Sequence, residues 1–325
     1  MTILDPVAVA NLAVFLVQLP RSRTNTTRRR GGVPPPAEFL CLEQARAAGE
    51  VVISETGITE RVRLENHSRR DLFLQAGEVL RGGNQDRAVA GDLIIPAPRH
   101  EPESCMVPTF CAEPERSTPM RGWTPDLFTL FDQCCPGCKL KRELRLGTQE
   151  DVWREITAMR DTVFDLVSHG GTRGTPPHSL WSLVEVLEAQ GWLNPYINTL
   201  LPLIEANPEA TGAVFVLSGK FNSAELYATP ALFRQMWPKL LYGLSVEALA
   251  EQHQTKGVQA GKLPTKGEVT AWLAAGHRRG TAGHTDKINK RVHRRLRSHG
   301  GVFVLEMLDQ EQDGLCVHET VLPNN

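Results

Sequence analysis

The segment GEVLRGGNQDR, residues 77–87, concentrates residue types that can bind a ligand. Its adjacent glycines, Gly82 and Gly83, permit positive φ angles and allow a ligand to approach the backbone closely. Successive backbone amides in turns of this kind can form a concave anion site. Arg87 could hold a diphosphate through paired hydrogen bonds, and Gln85 could bind an amide or the hydroxyls of a ribose. The segment therefore predicts a ligand-binding turn.

Two carboxylates could add acid–base chemistry to this turn. Glu78 could orient a ribose or act as a general base. The segment CAEPER, residues 111–116, brings Glu113 and Arg116 to the end of a predicted strand. If that strand pairs near the first segment, Glu78 and Glu113 could face one pocket as the acid and the base of glycosidic chemistry. Arg116 would then hold phosphate together with Arg87, which allows a hydrolase or transferase acting on an N-glycosidic or ADP-ribosyl bond.

The same residues have a structural interpretation, which stays open. Glycines often serve only the geometry of a hairpin turn, and a glutamate–arginine pair beside them is often a structural ion pair. The segment lacks the Gly-x-Gly-x-x-Gly spacing and the following helix of a dinucleotide-binding fold, and it is not a P-loop. Cys111 could be a nucleophile only if a base lowered its pKa, and a buried, unreactive thiol is the alternative.

A cysteine cluster follows in DQCCPGCKLKR, residues 132–142. Cys135 and Cys138 have the Cys-x-x-Cys spacing that can bind zinc or support redox chemistry, and Cys134 is adjacent to them. A four-ligand zinc site needs a second pair, and the sequence has no other Cys-x-x-Cys. These three cysteines are therefore candidate zinc ligands, with a surface thiol cluster that holds no metal as the alternative.

The composition limits the classes of protein to consider. The 325 residues are 41% hydrophobic and 22% charged, which is typical of a globular protein and argues against disorder or a fibre. The net charge of −1 provides no overall field that would attract nucleic acid or an anionic membrane. The most basic segment, residues 277–299, has no interleaved aromatics, and we expect a solvated basic helix there rather than a nucleic-acid site.

The first twenty residues are apolar but are not typical of a targeting signal or a membrane span. They carry Asp5, lack a basic leading region and are interrupted by Pro6 and Asn11. We therefore expect a cytoplasmic protein without a membrane partner. Seven cysteines are an odd and sparse set, which argues against a disulfide scaffold.

The elements that must position the candidate residues change in character along the chain. Residues 10–120 contain short apolar or alternating runs between turn residues, which predicts mostly antiparallel strands. Residues 121–325 contain helical periodicities and then two predicted strands around a turn at Asp313. We predict an α+β fold with a β-rich N-terminal half, a helical middle and a C-terminal β-hairpin. A single domain is expected over residues 10–325, with a mobile loop at residues 21–36.

Two helix starts are marked by specific residues. Thr148 is followed by Asp151 three positions on, which predicts a capping box. Thr229 and Pro230 have the residue types of an N-cap and a first helical position. Pro238 is then expected to bend or interrupt the second of these helices, because it lacks an amide hydrogen and crowds the preceding turn.

The order of several segments resembles a bacterial family, the ARG and Rhodanese-Phosphatase-superfamily-associated protein domain family. The resemblance runs from about Asn11 to the terminal hairpin. Ser117 stands where the family usually carries an aromatic residue, and NTTRRRGGVPPP and CCPGC are not part of the family pattern. The segments that carry the resemblance are LFLQAGEVLRGGNQDRAVAGDLIIPA, VPTFCAEPER, EDVWREI, TGAVFVLSGKF and LFRQMWPKLL.

The resemblance implies an association with NAD and ADP-ribose processing rather than a particular reaction. It favours an NAD- or ADP-ribose-type small-molecule nucleotide as the partner. The rival hypothesis is a non-catalytic binding or scaffold module whose Glu–Arg motifs are a structural network. The candidate catalytic residues are Glu78 and Glu113, and the candidate ligand-binding residues are Gly82, Gly83, Gln85, Arg87 and Arg116.

Overall fold

A computed structural model describes most of the chain. The backbone alone is described at residues 129–134, 169 and 180–183. The predicted mobile loop at residues 21–36 lies outside the described residues. The described ranges are 1–20, 38–100, 104–113, 127–134, 137–169, 180–255, 261–277 and 283–324.

The fold is α+β, as the sequence patterns predict. The strands are β1 (Thr2–Ile3), β2 (Val7–Val9), β3 (Leu12–Gln18), β4 (Leu40–Cys41), β5 (Val51–Ser54), β6 (Arg61–Asn66), β7 (Leu72–Leu74), β8 (Glu78–Gly82), β9 (Arg87–Val89), β10 (Leu93–Ile95), β11 (Ser104–Cys111), β12 (Leu127–Cys134), β13 (Gly212–Leu217), β14 (Lys220–Tyr227), β15 (Gly283–Lys287), β16 (Val292–His299), β17 (Val302–Asp309) and β18 (Leu315–Pro323). The α-helices are α1 (Leu42–Ala47), α2 (Cys138–Leu146), α3 (Gln149–His169), α4 (Leu180–Ala189), α5 (Asn194–Leu200), α6 (Leu203–Ala206), α7 (Pro230–Gln254) and α8 (Lys266–Ala275).

The chain divides into two compact units. The sheet unit comprises residues 1–38, 198–237 and 259–325, and the barrel unit comprises residues 39–197 and 238–258. Both units are therefore assembled from segments that are distant in the sequence.

The sheet unit is built on one antiparallel sheet. Its strands lie in the order β1-β3-β13-β14-β18-β17-β16-β15, and β2 also pairs with β3. The predicted terminal hairpin is confirmed by the pairing of β17 with β18. Asp313 and Gly314 have φ angles of 56° and 74°, which is the left-handed backbone that such a turn requires. Helix α8 covers part of the sheet, where Val269 and Leu273 pack into its apolar core.

The prediction of a basic helix within residues 277–299 is wrong. The described part of this segment forms β15 and β16, which pair with each other. Two adjacent arginines of β16 bind carboxylates on its two neighbouring strands, as Arg295 binds Glu306 of β17 and Arg294 binds Asp286 of β15. These cross-strand ion pairs override the helical propensity of arginine and lysine, because they depend on partners that local periodicity does not show.

The barrel unit is built on a closed barrel whose strands lie in the order β11-β6-β5-β12-β8-β9. Alternation of side chains along each strand separates two cores. Leu80 and Val89 belong to the cluster that also includes α1 and the small sheet β10-β7-β4. Val79 and Ala88 belong instead to the cluster that includes α2, α3 and α4. Strands β8 and β9 are therefore buried on both faces.

The helix boundaries confirm both predicted N-terminal caps. The Thr148 hydroxyl accepts a hydrogen bond from the Asp151 amide at 3.3 Å, and the Asp151 carboxylate accepts one from the Thr148 amide at 2.9 Å. The Thr229 hydroxyl accepts from the Leu232 amide at 3.2 Å. The predicted interruption at Pro238 is wrong, since α7 continues through it to Gln254.

None of the helices in the described ranges is both long enough and apolar enough to cross a membrane.

Candidate functional site

Strand β9 brings the two sequence motifs together in the barrel unit. It pairs with β8 on one side, where Leu80 lies opposite Arg87. It pairs with β11 on the other side, where Cys111 lies opposite the same arginine. The segment 77–87 and the start of the segment 111–116 therefore meet across a single short strand.

Arg87 is the centre of a buried group of polar side chains, the Arg87 cluster, formed by Glu55, Gln85, Asp86, Arg87 and Glu113. The Arg87 side chain is 4% exposed, and its Nη2 lies 3.3 Å from Oε2 of Glu55, which is 5% exposed. Its Nη1 donates to Oε1 of Gln85 at 2.9 Å. The guanidinium is thus held in place by one carboxylate and one amide.

The carboxylates of the cluster also bind backbone amides of the turn between β8 and β9. Oε1 of Glu55 accepts from the Asn84 amide at 2.9 Å. Oδ1 of Asp86 accepts from the Gly82 amide at 3.3 Å. Oε2 of Glu113 accepts from the Asp86 amide at 3.3 Å. These bonds satisfy buried amides that no ladder partner reaches, so the carboxylates have a structural role in the turn.

The two predicted ligand-binding glycines are required by the protein itself. Gly82 has a φ of 141°, and a Cβ there would lie 2.4 Å from the carbonyl oxygen of Leu127. Gly83 has a φ of 53°, and a Cβ there would lie 2.5 Å from Oε1 of Glu55. The space that the missing side chains leave is occupied by β12 and by Glu55, and a ligand is not needed to explain either glycine.

One hydrogen-bond donor of Arg87 takes part in none of these contacts. Its Nε is buried and has no hydrogen-bond partner among the described residues. Leaving a buried donor unsatisfied costs about 1–3 kcal/mol, and more when the group is charged. The Nε atom is therefore the position in the cluster that requires an acceptor from elsewhere, such as a ligand oxygen.

Glu78 belongs to a different group, the Lys239 cluster, formed by Cys41, Glu43, Glu78 and Lys239. Glu78 and Lys239 are completely buried. The Lys239 ammonium donates to Oε1 of Glu78, and Oε2 of Glu78 accepts from the Gln75 amide at 2.7 Å. Oε2 of Glu43 lies 3.7 Å from the same ammonium. Both oxygens of the Glu78 carboxylate are thus bonded within the protein.

Glu78 and Glu113 belong to different clusters. Glu78 is the first residue of β8, while Glu113 is bonded to the turn that follows Gly82, the last residue of that strand. These contacts do not place the two carboxylates in one group, and their pairing in glycosidic chemistry stays a prediction.

Two buried cysteines lie at these clusters, Cys41 in the Lys239 cluster and Cys111 opposite Arg87 on β11. Burial raises the pKa of Cys111, although the Glu113 amide and the nearby Arg87 charge act in the opposite direction. Burial and the Glu78 charge raise the pKa of Cys41 far above its ordinary value. A thiol with a raised pKa is mostly protonated at neutral pH, so neither cysteine has the properties of an activated nucleophile.

Several predicted site residues cannot be placed. Arg116 and Cys135 lie outside the described residues, and the side chain of Cys134 does too. Cys138 begins α2, and its amide donates to Oε1 of Glu247 at 3.0 Å. The candidate zinc ligands are therefore represented by Cys138 alone in the described part of the chain.

Two important partners were not identified from the sequence, Glu55 and Lys239. Glu55 directly follows β5, an ordinary-looking strand, and nothing local distinguishes it. Lys239 did carry a signal, because it lies three residues after Met236 and seven after Leu232, both of which are buried. A lysine on the apolar face of a helix needs a buried carboxylate.

Comparison with known proteins gave one match. The family model described as ARG and Rhodanese-Phosphatase-superfamily-associated Protein domain matches residues 1–321. The searches of curated proteins and of solved structures gave no match.

Proposed function

The chain belongs to the ARG and Rhodanese-Phosphatase-superfamily-associated Protein domain family, and from this premise we propose that it binds an NAD- or ADP-ribose-type ligand through the Arg87 cluster. The observation that carries the proposal is the buried Nε of Arg87, which lacks an acceptor among the described residues. The guanidinium is already oriented by Glu55 and Gln85, so a ligand oxygen at Nε would complete its hydrogen bonds without reorganisation.

The charges in the cluster favour the ribose or the carboxamide of such a ligand over its phosphates. Glu55, Asp86 and Glu113 contribute three carboxylates, against one guanidinium from Arg87. A phosphate oxygen only accepts hydrogen bonds, and its charge would be repelled at this position. A ribose hydroxyl can accept from Nε and also donate to a carboxylate. The diphosphate would need cations outside this group, for which Arg116 remains the predicted residue.

A thermal-shift panel with NAD, ADP-ribose, nicotinamide and inorganic phosphate tests this proposal. A ligand at about a hundred times its dissociation constant adds about 2.7 kcal/mol of stability, enough to shift the transition by a few degrees. We expect a shift with NAD or ADP-ribose, none with phosphate alone, and loss of the shift in Arg87→Lys, which has no Nε donor. Arg63→Lys on the exposed face of β6 is the matched control and should respond like the unchanged protein.

A non-catalytic scaffold module is the second candidate, and the glycine geometry favours it. The space beside Gly82 and Gly83 is occupied by β12 and Glu55 rather than by a ligand. The carboxylates of the Arg87 cluster bind backbone amides of the turn. On this hypothesis Arg87→Ala lowers the melting temperature sharply and no compound in the panel shifts the transition. A flat panel with the unchanged protein, at ligand concentrations up to about millimolar, would favour this candidate over nucleotide binding.

No reaction step is proposed for Glu78. Its carboxylate is completely buried, is paired with the Lys239 ammonium and also accepts from the Gln75 amide, which indicates a structural ion pair. Acid–base chemistry at Glu113 stays a prediction, and a turnover assay with Glu113→Gln would test it after a ligand has been identified.

A further inference from the structure

The sheet unit contains a group of three side chains with the chemistry of a metal site. His277 follows α8, Glu306 lies in β17 and Glu319 lies in β18. One ligand atom from each residue lies within 4.8 Å of the other two, and no other group of three such side chains meets this condition in the described ranges. One imidazole nitrogen and two carboxylate oxygens form a donor set typical of first-row transition metals.

The backbone positions these side chains from three separate elements. Glu306 and Glu319 are directly opposite each other on β17 and β18, so both project from the same face of the sheet. His277 reaches this face because Gly276 packs directly on β17. A Cβ at Gly276 would lie 2.0 Å from Cγ2 of Val304. The approach of the chain at this glycine brings the imidazole to Glu319.

The two carboxylates differ in how well the protein satisfies them. Glu306 accepts from Nε and Nη2 of Arg295, both at 2.6 Å, and its Oε2 lies 3.1 Å from Nε of Arg297. Glu319 is only 5% exposed, yet within the described ranges its carboxylate has one hydrogen-bond partner, Nε2 of His277 at 2.9 Å. A carboxylate has about four acceptor positions, so Glu319 is a buried anion with most of its capacity unused.

The charges allow a cation at this position. Two carboxylates directly opposite on neighbouring strands destabilise each other. Arg295 and Arg297 are bonded to Glu306, and among the described residues neither is bonded to Glu319, although the Arg295 charge also acts on Glu319 through space. The bidentate Arg295 also leaves Oε1 of Glu306 with one free lone pair and fixes the orientation of its carboxylate, as outer-sphere partners do in metal sites. The same arginines repel any cation, and the imidazole ligand favours a transition-metal ion over Mg²⁺ or Ca²⁺.

We propose that His277, Glu306 and Glu319 bind a zinc-type divalent transition-metal ion. Nε2 of His277 and one oxygen of each carboxylate are the ligands, at the usual distances of about 2.0–2.2 Å. Binding replaces the His277–Glu319 hydrogen bond and releases any proton shared by that pair. The site lies in the sheet unit and is independent of the nucleotide proposal, which concerns the barrel unit.

Calorimetric titration of the full chain with ZnCl₂ tests the site, with MgCl₂ as the second titrant. The protein carries Cys134→Ser, Cys135→Ser and Cys138→Ser together, so that the cysteine cluster of residues 134–138 cannot account for the binding. We expect one Zn²⁺ per chain and no heat from Mg²⁺. His277→Ala and Glu319→Gln should each weaken Zn²⁺ binding by about tenfold or more.

His284→Ala is the matched control, because His284 also forms a histidine–carboxylate pair, with Asp286 at 2.6 Å, but belongs to no three-residue group of this kind among the described residues. This variant should bind Zn²⁺ like the parent chain. Circular dichroism establishes whether each variant is folded. If Glu319→Gln does not fold, the metal-binding test depends on His277→Ala. Absence of Zn²⁺ binding in the parent chain, or undiminished binding in folded His277→Ala, would overturn the proposal.

Discussion

The barrel unit contains two buried clusters that each combine a cation with carboxylates, and they differ in how completely their polar atoms are satisfied. In the Lys239 cluster, both oxygens of Glu78 are bonded and the ammonium contacts two carboxylates. In the Arg87 cluster, the guanidinium is ion-paired to Glu55 but its Nε has no partner in the described ranges.

The difference shows that burial of a charged pair is not by itself evidence for a binding site. Glu78 and Lys239 are more deeply buried than Glu55 and Arg87, yet their contacts form a closed set that a ligand could only disrupt. An open donor distinguishes the Arg87 cluster. If this comparison is correct, changes in the Lys239 cluster alter stability alone, whereas changes at Arg87 alter both stability and ligand response.

The largest effect is expected from Lys239→Met. The variant leaves the Glu78 carboxylate completely buried without its cation, which costs about 3–5 kcal/mol of unfolding free energy. Urea denaturation followed by circular dichroism measures this loss. The double variant with Glu78→Gln should recover most of it, because the unpaired charge is then removed. A cost below about 1 kcal/mol for Lys239→Met would show that the pair is hydrated and not closed.

A smaller loss is expected from Arg87→Met. Glu55 loses its ion pair but keeps the hydrogen bond from the Asn84 amide, so we expect a cost of about 2–3 kcal/mol in the same urea experiment. The ligand-dependent shift should disappear together with this stability. A cost equal to that of Lys239→Met would make the two clusters equivalent and remove the contrast between them.

A backbone substitution separates the turn geometry from the charges. Gly83→Ala places a Cβ 2.5 Å from Oε1 of Glu55 at a φ of 53°, so both strain and displacement of Glu55 contribute, at about 2 kcal/mol. Gly49→Ala is the control, since its φ is 70° but its Cβ would meet nothing within 4 Å, and it should cost about 1 kcal/mol. Equal melting temperatures for the two variants would argue against a role of Glu55 in the turn.

The smallest effects concern the two cysteines. The raised pKa of Cys41 and Cys111 keeps both thiols protonated, so both should react more slowly with iodoacetamide at pH 8 than the partly exposed Cys105 and Cys316. Mass spectrometry of the labelled peptides measures the four rates. Faster labelling of Cys111 than of Cys105 would show that the Arg87 cluster opens to solvent.

The same pKa shifts predict the direction of a pH effect on stability. A group whose folded pKa is raised stabilises the fold fully below its ordinary pKa, which for these thiols is 9.0. That contribution is lost as the pH rises through the folded pKa, because the unfolded chain ionises first. Unfolding free energy should therefore decline above pH 9.0. Measured relative to the value at pH 7, this decline should be smaller in a Cys41→Ala/Cys111→Ala variant.

Local patterns in the sequence were sufficient for the elements and for the α+β class. The Thr148 and Thr229 caps and the turn at Asp313 are confirmed, since each depends on residues within a few positions of one another. The basic segment was mistaken for a helix for the opposite reason. The carboxylate of Glu306 that binds Arg295 is eleven residues away in the sequence and belongs to another strand.

The residues of the two motifs were identified from the sequence, but only the tertiary structure decided their partners. The closed barrel places Glu55 against Arg87, thirty-two residues apart, and the packing of α7 places Lys239 against Glu78, 161 residues apart. The grouping of His277 with Glu306 and Glu319 likewise depends on strand register. Residue types and their spacing determine which groups can do chemistry, whereas the long-range packing of apolar faces determines which of them meet, because that packing brings together segments whose local sequences carry no information about each other.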